Sequence, residues 1–376
     1  MTAVLDGLDQ VDWARLSHAY GPADDVPDQL RGLVSPDERV RRKALSSMYA
    51  NLYHQGTIYE ATAAAVPFLL RALTAPECDE QPQLLDFLSG IVTGYDGTWL
   101  PEGIPVAQHR AQAVGGDALL AAAPHPGDDD YDEDEADLAY VEDLDEEDQN
   151  RLYAHIWVRV YDAVRAGVPL FRDLLTWEPP VACMAAYTLA WFPEDAAESL
   201  PALAKVTGGD EDGVVAATAS VATGLLGGRP AVALDDPRPI ARWGAAVALA
   251  SVDDLITATA LPSSDRVPFL NGDLATYAAR VLRLAGVRDA DRTFDTILAR
   301  IPTLSGYSAL HVVGEALRLA FPDGPAERER RLLDALAGSP GTWLIEGRNF
   351  ASFMNLMDRH GLPTSPAALR DYASTR

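Results

Sequence analysis

The chain has 376 residues, of which 48% are hydrophobic, and its formal net charge at pH 7 is −26. A surface this negative repels phosphate groups, so the charge excludes generic nucleic-acid binding and favours a basic partner. The two cysteines, Cys78 and Cys183, are isolated, and no apolar run in the sequence is long enough to span a membrane. Residues 1–13 lack the basic region and the apolar core of a signal peptide, so we expect none. We therefore expect a cytoplasmic protein that binds neither nucleic acid nor a membrane.

The first strong helical signal spans 39–73 and predicts two helices joined by a tight turn. Gly56 can adopt the left-handed conformation that ends a helix, so we place the end of the first helix there. Thr57 would cap the second helix, with Glu60 three residues later completing a capping box. Pro67 lies inside the second helix and predicts a kink or a break in it.

Residues 124–150 form an acidic, low-complexity insert. The stretch 128–148 holds 14 acidic residues and no basic one, so its charges repel one another and we predict a flexible segment. Aspartates at alternate positions from Asp128 to Asp134 suggest a calcium site, but the sixth-position glycine and the final glutamate of the helix–loop–helix calcium loop are absent. A solvated acidic loop is the favoured interpretation, and we predict no metal ion.

Beyond the insert, paired helical segments recur from residue 168 onward at roughly the 30–45-residue spacing of helical repeats. No segment combines two-residue alternation with β-branched residues, so we predict no sheet. No phosphate loop, nucleophile elbow or metal-binding pattern occurs, and we expect no cofactor.

Several segments carry a recognisable repeat pattern. The stretch 37–45 (DERVRRKAL) resembles the Asp, Val-Arg and Ala pattern of HEAT repeats, and 237–246 is a looser copy of it. The segments 66–69 (VPFL) and 168–170 (VPL) resemble the first helices of such repeats. Residues 54–62, followed by 66–69, are similar to a widespread bacterial group of HEAT-repeat proteins, from which no activity carries over.

The resemblance implies an all-α fold. It would be a right-handed α-α superhelix, or HEAT-like solenoid, that forms a single domain over 1–376 and is interrupted by the acidic insert at 124–150. Because HEAT motifs specify a scaffold, the function must be argued from a site.

One predicted helix carries a candidate catalytic set. Tyr307, His311 and Glu315 follow one another at four-residue spacing, which places them on one stripe of that helix. A histidine with a carboxylate one turn away is the arrangement of an oriented general base, and Tyr307 would be its hydrogen-bond partner. The simpler interpretation is a polar face with an ion pair between Glu315 and Arg318.

Three groups of residues are candidates for contact with a partner or ligand. The first lies at the turn between the first two helices, and the second lies in a loop that a minimal repeat would not need. The third consists of aromatic residues on helices that face the concave side of a HEAT solenoid. The members are His54, Gln55 and Tyr59; Tyr95, Asp96, Trp99 and His109; and Trp157, Tyr187, Trp191 and Trp243. Turn chemistry and core packing are the alternative explanations.

The leading hypothesis is a protein- or peptide-binding scaffold that holds a basic partner on an acidic concave surface, as an adaptor or an immunity-like protein would. The alternative is a cofactor-independent enzyme that modifies a small molecule or peptide by acid–base chemistry, of the lyase or cyclase type, in a concave pocket. A third idea, nucleic-acid binding, is disfavoured by charge. The local arginine cluster available for it comprises Arg280, Arg283, Arg288 and Arg292.

Overall fold

The computed structural model describes residues 4–76, 78–129, 131, 141, 143–207, 212–321 and 323–374. The structure is mostly helical, with 68% helix and 3% strand, which confirms the predicted all-α class. The chain divides into two compact units, Met1–Ala202 and Leu203–Arg376. Among the described residues, no helix combines the length and the hydropathy that a membrane span requires. The superhelix over 1–376 stays a prediction.

The first unit is built from short helices around one long helix. Its helices are α1 (Val26–Leu33), α2 (Glu38–Asn51), α3 (Glu60–Ala72), α4 (Gln81–Thr93), α5 (Val106–Gln112), α6 (Gly116–Ala122), α7 (Glu146–Arg165), α8 (Val168–Leu174) and α9 (Pro179–Leu189). Helix α7 packs against α3, α4, α5 and α6. Its buried side chains Leu152, Ile156 and Val160 recur at helical spacing, and Asp145 caps its first turn. Helix α10 (Ala196–Thr207) contains the boundary between the units.

The prediction that the chain contains no strands is wrong. The described residues contain three antiparallel ladders, each with only two residues per strand. Their strands are β1 (Ser17–His18), β2 (Gly21–Pro22), β3 (Tyr53–His54), β4 (Thr57–Ile58), β5 (Leu344–Ile345) and β6 (Arg348–Asn349). A strand of two residues is too short to show the alternation on which strand prediction depends.

The turn at residues 55–56 belongs to a hairpin and not to a helix end. Gln55 and Gly56 have φ values of 50° and 93°, as the two central residues of a type I′ hairpin turn require. Glu346 and Gly347 repeat this geometry between β5 and β6, with φ values of 51° and 76°. The glycine therefore permits a tight reversal between two short strands, and helix α2 ends earlier, at Asn51.

The predicted start of α3 is also wrong. Thr57 lies in β4, and the helix is preceded by Tyr59, whose N–H donates a hydrogen bond to the Thr62 hydroxyl at 3.0 Å. Glu60 is the first helical residue and its side chain is buried, so it does not complete a capping box with Thr57. Helix α3 continues through Pro67 without the break that the sequence suggested.

Part of the acidic insert is described, namely 124–129, 131, 141 and 143–150. The Arg15 guanidinium pairs with the Asp128 carboxylate at 2.8 Å, and Val141 is buried in a cluster that includes Leu152. The edges of the insert therefore contact the helical body. The remaining aspartates of the alternating pattern lie outside the described residues.

The second unit places helices side by side in sequence order. Its helices are α11 (Gly213–Leu225), α12 (Pro239–Leu249), α13 (Val252–Ala258), α14 (Leu274–Ala285), α15 (Ala290–Arg300), α16 (Gly306–Ala320), α17 (Ala326–Gly338), α18 (Ala351–Arg359) and α19 (Pro366–Ser374). Helix α12 contacts α11 and α14, and α14 contacts α16. Helix α13 packs on α12 and α14, and α15 packs on α14 and α16.

Glycine and alanine bring α11 and α12 into close contact. A Cβ atom placed on Gly244 would lie 2.6 Å from both the Cα and the carbonyl oxygen of Ala217. A Cβ on Gly224 would lie 2.9 Å from the Cα of Ala248. Because the contacts advance in the same direction along both helices, α11 and α12 run parallel. Their backbones lie so close together that a residue larger than glycine at position 244 or 224 would overlap the facing helix.

We expect Gly244→Ala to lower the free energy of unfolding by about 1–3 kcal/mol, because the added methyl group meets backbone atoms of the facing helix. Gly338→Ala is the matched control, since a Cβ at Gly338 would meet no atom within 4 Å. It should be neutral or should stabilise by up to about 1 kcal/mol. Urea unfolding followed by circular dichroism measures both, and equal destabilisation by the two variants would contradict the close approach.

Candidate functional site

The predicted catalytic stripe is divided between a cavity and the open surface. His311 and Glu315 line a cavity of about 290 Å³ between α14, α16 and α18, which we call the arginine cavity. Its lining comprises Arg280, Leu310, His311, Gly314, Glu315, Arg318, Ser352, Asn355, Leu356 and Arg359. Tyr307 is 61% exposed and packs edge-on against Phe350, with ring centroids 5.1 Å apart, and it is not part of this lining.

Glu315 is held by arginines from two helices. The residue is only 1% exposed. Its Oε2 accepts a hydrogen bond from Nε of Arg283, and its Oε1 accepts one from Nη1 of Arg318 at 2.6 Å. Arg280 Nε lies 3.5 Å from Oε1. The carboxylate therefore connects α14 to α16, and the ion pair with Arg318 that the simpler interpretation predicted is one part of a larger cluster.

The surroundings of His311, above all its burial, favour its neutral form. Burial lowers the pKa of His311, and the Arg280 guanidinium lowers the pKa further, although Asp273 and Glu315 act in the opposite direction. A neutral imidazole offers one donor and one acceptor nitrogen. Because both oxygens of Glu315 accept from guanidinium groups, the carboxylate is arranged to hold positive charge more than to orient a base.

Replacing Glu315 by Gln should lower the free energy of unfolding by roughly 2–3 kcal/mol, less than for a fully buried pair because Arg318 keeps much of its side chain in solvent. Glu327→Gln is the control, because Glu327 pairs with Arg330 on the exposed surface of α17, and its stability should be nearly unchanged. Urea unfolding measures the difference, and hydrogen exchange assigns it to α14 and α16. Similar losses in both variants would contradict the structural role of Glu315.

A second cavity lies in the first unit, and three separate stretches of sequence meet there. It has a volume of about 340 Å³ and lies between the β3–β4 turn, α5 and α7; we call it the hairpin cavity. Its lining comprises Gly56, Thr57, Ile58, His109, Gln112, Asn150, Tyr153, Ala154, Ile156 and Trp157. His109 and Trp157, which the sequence selected in different groups, are thus neighbours beside the hairpin turn.

A row of aromatic rings in mutual contact supports the hairpin cavity. The His109 ring lies 4.5 Å from Trp157 and 5.5 Å from Trp99, and Trp157 stacks on Tyr161 at 4.9 Å between centroids. The Trp157 indole N–H donates to the carbonyl of Val92 at 2.9 Å. These ring contacts and the hydrogen bond fix the orientation of Trp157 beside the cavity.

His109 contributes an unused polar atom to this site. Its Nε2 is buried and has no hydrogen-bond partner among the described residues. Burial lowers the pKa of His109, so the imidazole is neutral at pH 7. An unpaired buried nitrogen costs free energy, and a ligand that hydrogen-bonds to it would remove that cost.

The other predicted contact residues lie outside both cavities. His54 is half-buried, with Nδ1 3.4 Å from the Tyr20 hydroxyl, and Gln55 is exposed at the tip of the turn. Tyr59, Trp191 and Trp243 are buried in the cores of their units. Tyr95 is exposed, while Asp96 is buried and accepts a hydrogen bond from the Tyr187 hydroxyl at 3.2 Å. These positions fit core packing and turn chemistry, apart from the exposed Tyr95.

Sequence reasoning missed a buried carboxylate near the hairpin. Glu60 lies 3.5 Å from Nδ1 of His125, and burial raises the pKa of Glu60. In the sequence analysis, Glu60 is assigned to a capping box and is therefore not considered as a buried carboxylate. Arg359, Asn355 and Gly314 of the arginine cavity were also missed, although the seven-residue spacing of Ser352 and Arg359 places both on one helix face.

Among the described residues, no group of three or more His, Cys, Asp or Glu side chains is placed to hold a metal ion. No protein-family model, curated protein or solved structure matches the chain. The interpretation of both cavities therefore depends on the geometry and charge of the residues that line them.

Proposed function

We propose that the chain is a protein- or peptide-binding protein whose first unit receives a basic segment of its partner. Charge is divided unequally along the sequence. Residues 1–202 contain 36 acidic and 12 basic residues, which gives a net charge of −24. Residues 203–376 contain 20 acidic and 18 basic residues, which gives a net charge of −2. Nearly all the attraction for a basic partner therefore resides in the first unit.

The hairpin cavity is the observation that carries this proposal. It offers the side-chain carbonyl oxygens of Asn150 and Gln112 and the buried Nε2 of His109, which accepts when the ring proton is on Nδ1. None of the described residues that line it carries a guanidinium or ammonium group. Ile58 and Ala154 provide an apolar wall for the aliphatic part of an arginine or lysine side chain. A partner's basic side chain would insert its stem along this wall and donate its N–H groups to the three acceptors.

The approach to the cavity is acidic. Glu146 lies one helical turn before Asn150 on the same stripe of α7, and its side chain is exposed. The acidic stretch 128–148 ends in this first turn. Long-range attraction from these carboxylates would raise the rate of encounter with a basic segment, while the cavity would determine which side chain is held.

The scaffold that we propose is a HEAT-like right-handed superhelix in a reducing cytoplasm. Support for the scaffold comes from the second unit, where α12, α14 and α16 lie side by side with α13 and α15 packed against neighbouring pairs. Support for the compartment comes from Cys78 and Cys183, which are both buried and are not joined in a disulfide. Each helix pair buries its apolar face against the next pair, as helical repeats do.

A short fluorescein-labelled peptide with three arginines tests the proposed function against the same peptide with three glutamates. Fluorescence anisotropy at low salt should detect saturable binding of the arginine peptide alone. Asn150→Arg should weaken this binding by about tenfold or more, because it places a cation in the hairpin cavity. Gln83→Arg is the control, since it adds the same charge at an exposed position of α4 outside the cavity.

The two variants separate the cavity from general charge. Gln83→Arg should change the affinity by less than about twofold. Equal binding of the two peptides, or an equal loss of affinity in both variants, would contradict the proposal.

A further inference from the structure

The arginine cavity in the second unit has a charge opposite to that of the first unit. Three of its lining residues are arginines, and Glu315 is the one acidic residue among the described residues that line it. Arg283 adds a fourth guanidinium that pairs with the same carboxylate. Four positive charges against one negative charge leave an excess of three, so the cavity attracts an anion.

We propose that the arginine cavity binds a small phosphomonoester. The site is independent of the basic-partner proposal, because it is formed entirely by α14, α16 and α18 of the second unit.

Glu315 prepares the guanidinium groups for such a ligand. Its contacts hold arginines from α14 and α16 in place before a ligand arrives, which lowers the entropic cost of ordering their long side chains. The contact with Glu315 engages only Nη1 of Arg318, and a guanidinium has five N–H donors. Further donors of Arg318 therefore remain for the oxygens of a phosphate group.

Arg359 supplies the opposite wall of the cavity. It lies on α18, is exposed, and has no ion-pair partner among the described residues. A cation without a partner beside a preorganised cluster is available to a ligand at no cost of breaking an existing pair. Tetrahedral phosphate presents three terminal oxygens, so it can reach donors on three helices, whereas a carboxylate presents two coplanar oxygens.

Gly314 keeps the floor of the cavity open. The residue lies in the interior of α16, where glycine is less favourable than alanine by roughly 0.5–1 kcal/mol. A Cβ at this position would meet no atom within 4 Å, so packing does not require glycine. The missing side chain instead leaves space directly beside Glu315.

The remaining lining indicates an organic body attached to the phosphate. The volume of about 290 Å³ exceeds what a phosphate group alone would fill. Leu310 and Leu356 offer apolar contact, while Ser352 and Asn355 offer hydrogen bonds. A short polar carbon chain, such as that of glycerol 3-phosphate, matches this combination of groups.

Isothermal titration calorimetry of the full chain with glycerol 3-phosphate, inorganic phosphate and lactate tests the proposal. Glycerol 3-phosphate should bind saturably and about tenfold more tightly than the other two probes. Arg359→Ala should weaken this binding by about tenfold or more, whereas Arg348→Ala, which removes an exposed arginine outside the cavity, should leave it unchanged. Gly314→Leu should abolish binding by filling the floor, with the helical circular dichroism retained.

The absence of saturable binding by all three probes would overturn the proposal. Equal affinity for lactate would overturn the assignment to phosphate, and equal affinity for inorganic phosphate would overturn the assignment to an ester. Equal losses in Arg359→Ala and Arg348→Ala would mean that general charge, and not this cavity, is responsible. Arg359→Ala should leave the binding of the arginine peptide unchanged, so the two proposals can fail separately.

Discussion

Close approach of helices through small residues is the constraint on which both units depend. Such an approach requires that buried hydroxyl groups do not disturb the contact. In α11, Thr218 and Ser220 donate to carbonyls four residues earlier in their own helix, at 2.8 and 2.7 Å. In the first unit, Ser89 of α4 donates to its own helix and also meets the Thr188 hydroxyl of α9 at 2.8 Å. Polar atoms are thereby satisfied without separating the backbones.

Where this packing loosens, cavities form with polar linings. A Cβ atom placed on Gly314 in α16 would meet no atom within 4 Å, whereas a Cβ placed on Gly244 in α12 would overlap the backbone of Ala217. The same residue type thus brings two helices together in one place and leaves a space in the other. In the arginine cavity the space lies beside a buried carboxylate, whose position is stable only because guanidinium groups surround it. The packing and the electrostatics of this site therefore depend on each other.

The helical class and most helix positions were predictable because helical spacing and caps are local signals. The hairpin at Gln55 and Gly56 was not, since the same glycine serves a helix end and a type I′ turn equally well and the flanking strands contain two residues each. Four-residue spacing correctly placed His311 and Glu315 on one helix. It gave no information about Arg283 and Arg359, because those come from other helices and meet Glu315 or its cavity only through tertiary packing.

The net charge describes the whole chain, whereas the attraction of a ligand depends on the charges close to its binding site. The prediction that the chain does not bind nucleic acid, made from a net charge of −26, assumes that the charge is spread evenly along the chain. Residues 203–376 carry a net charge of only −2, and charges more than about 8 Å apart are largely screened at physiological salt. The nearest groups therefore set the potential in the arginine cavity, and these are guanidiniums. Repulsion of phosphate groups is therefore expected from the acidic first unit, and it does not argue against the small anion that we propose between α14, α16 and α18.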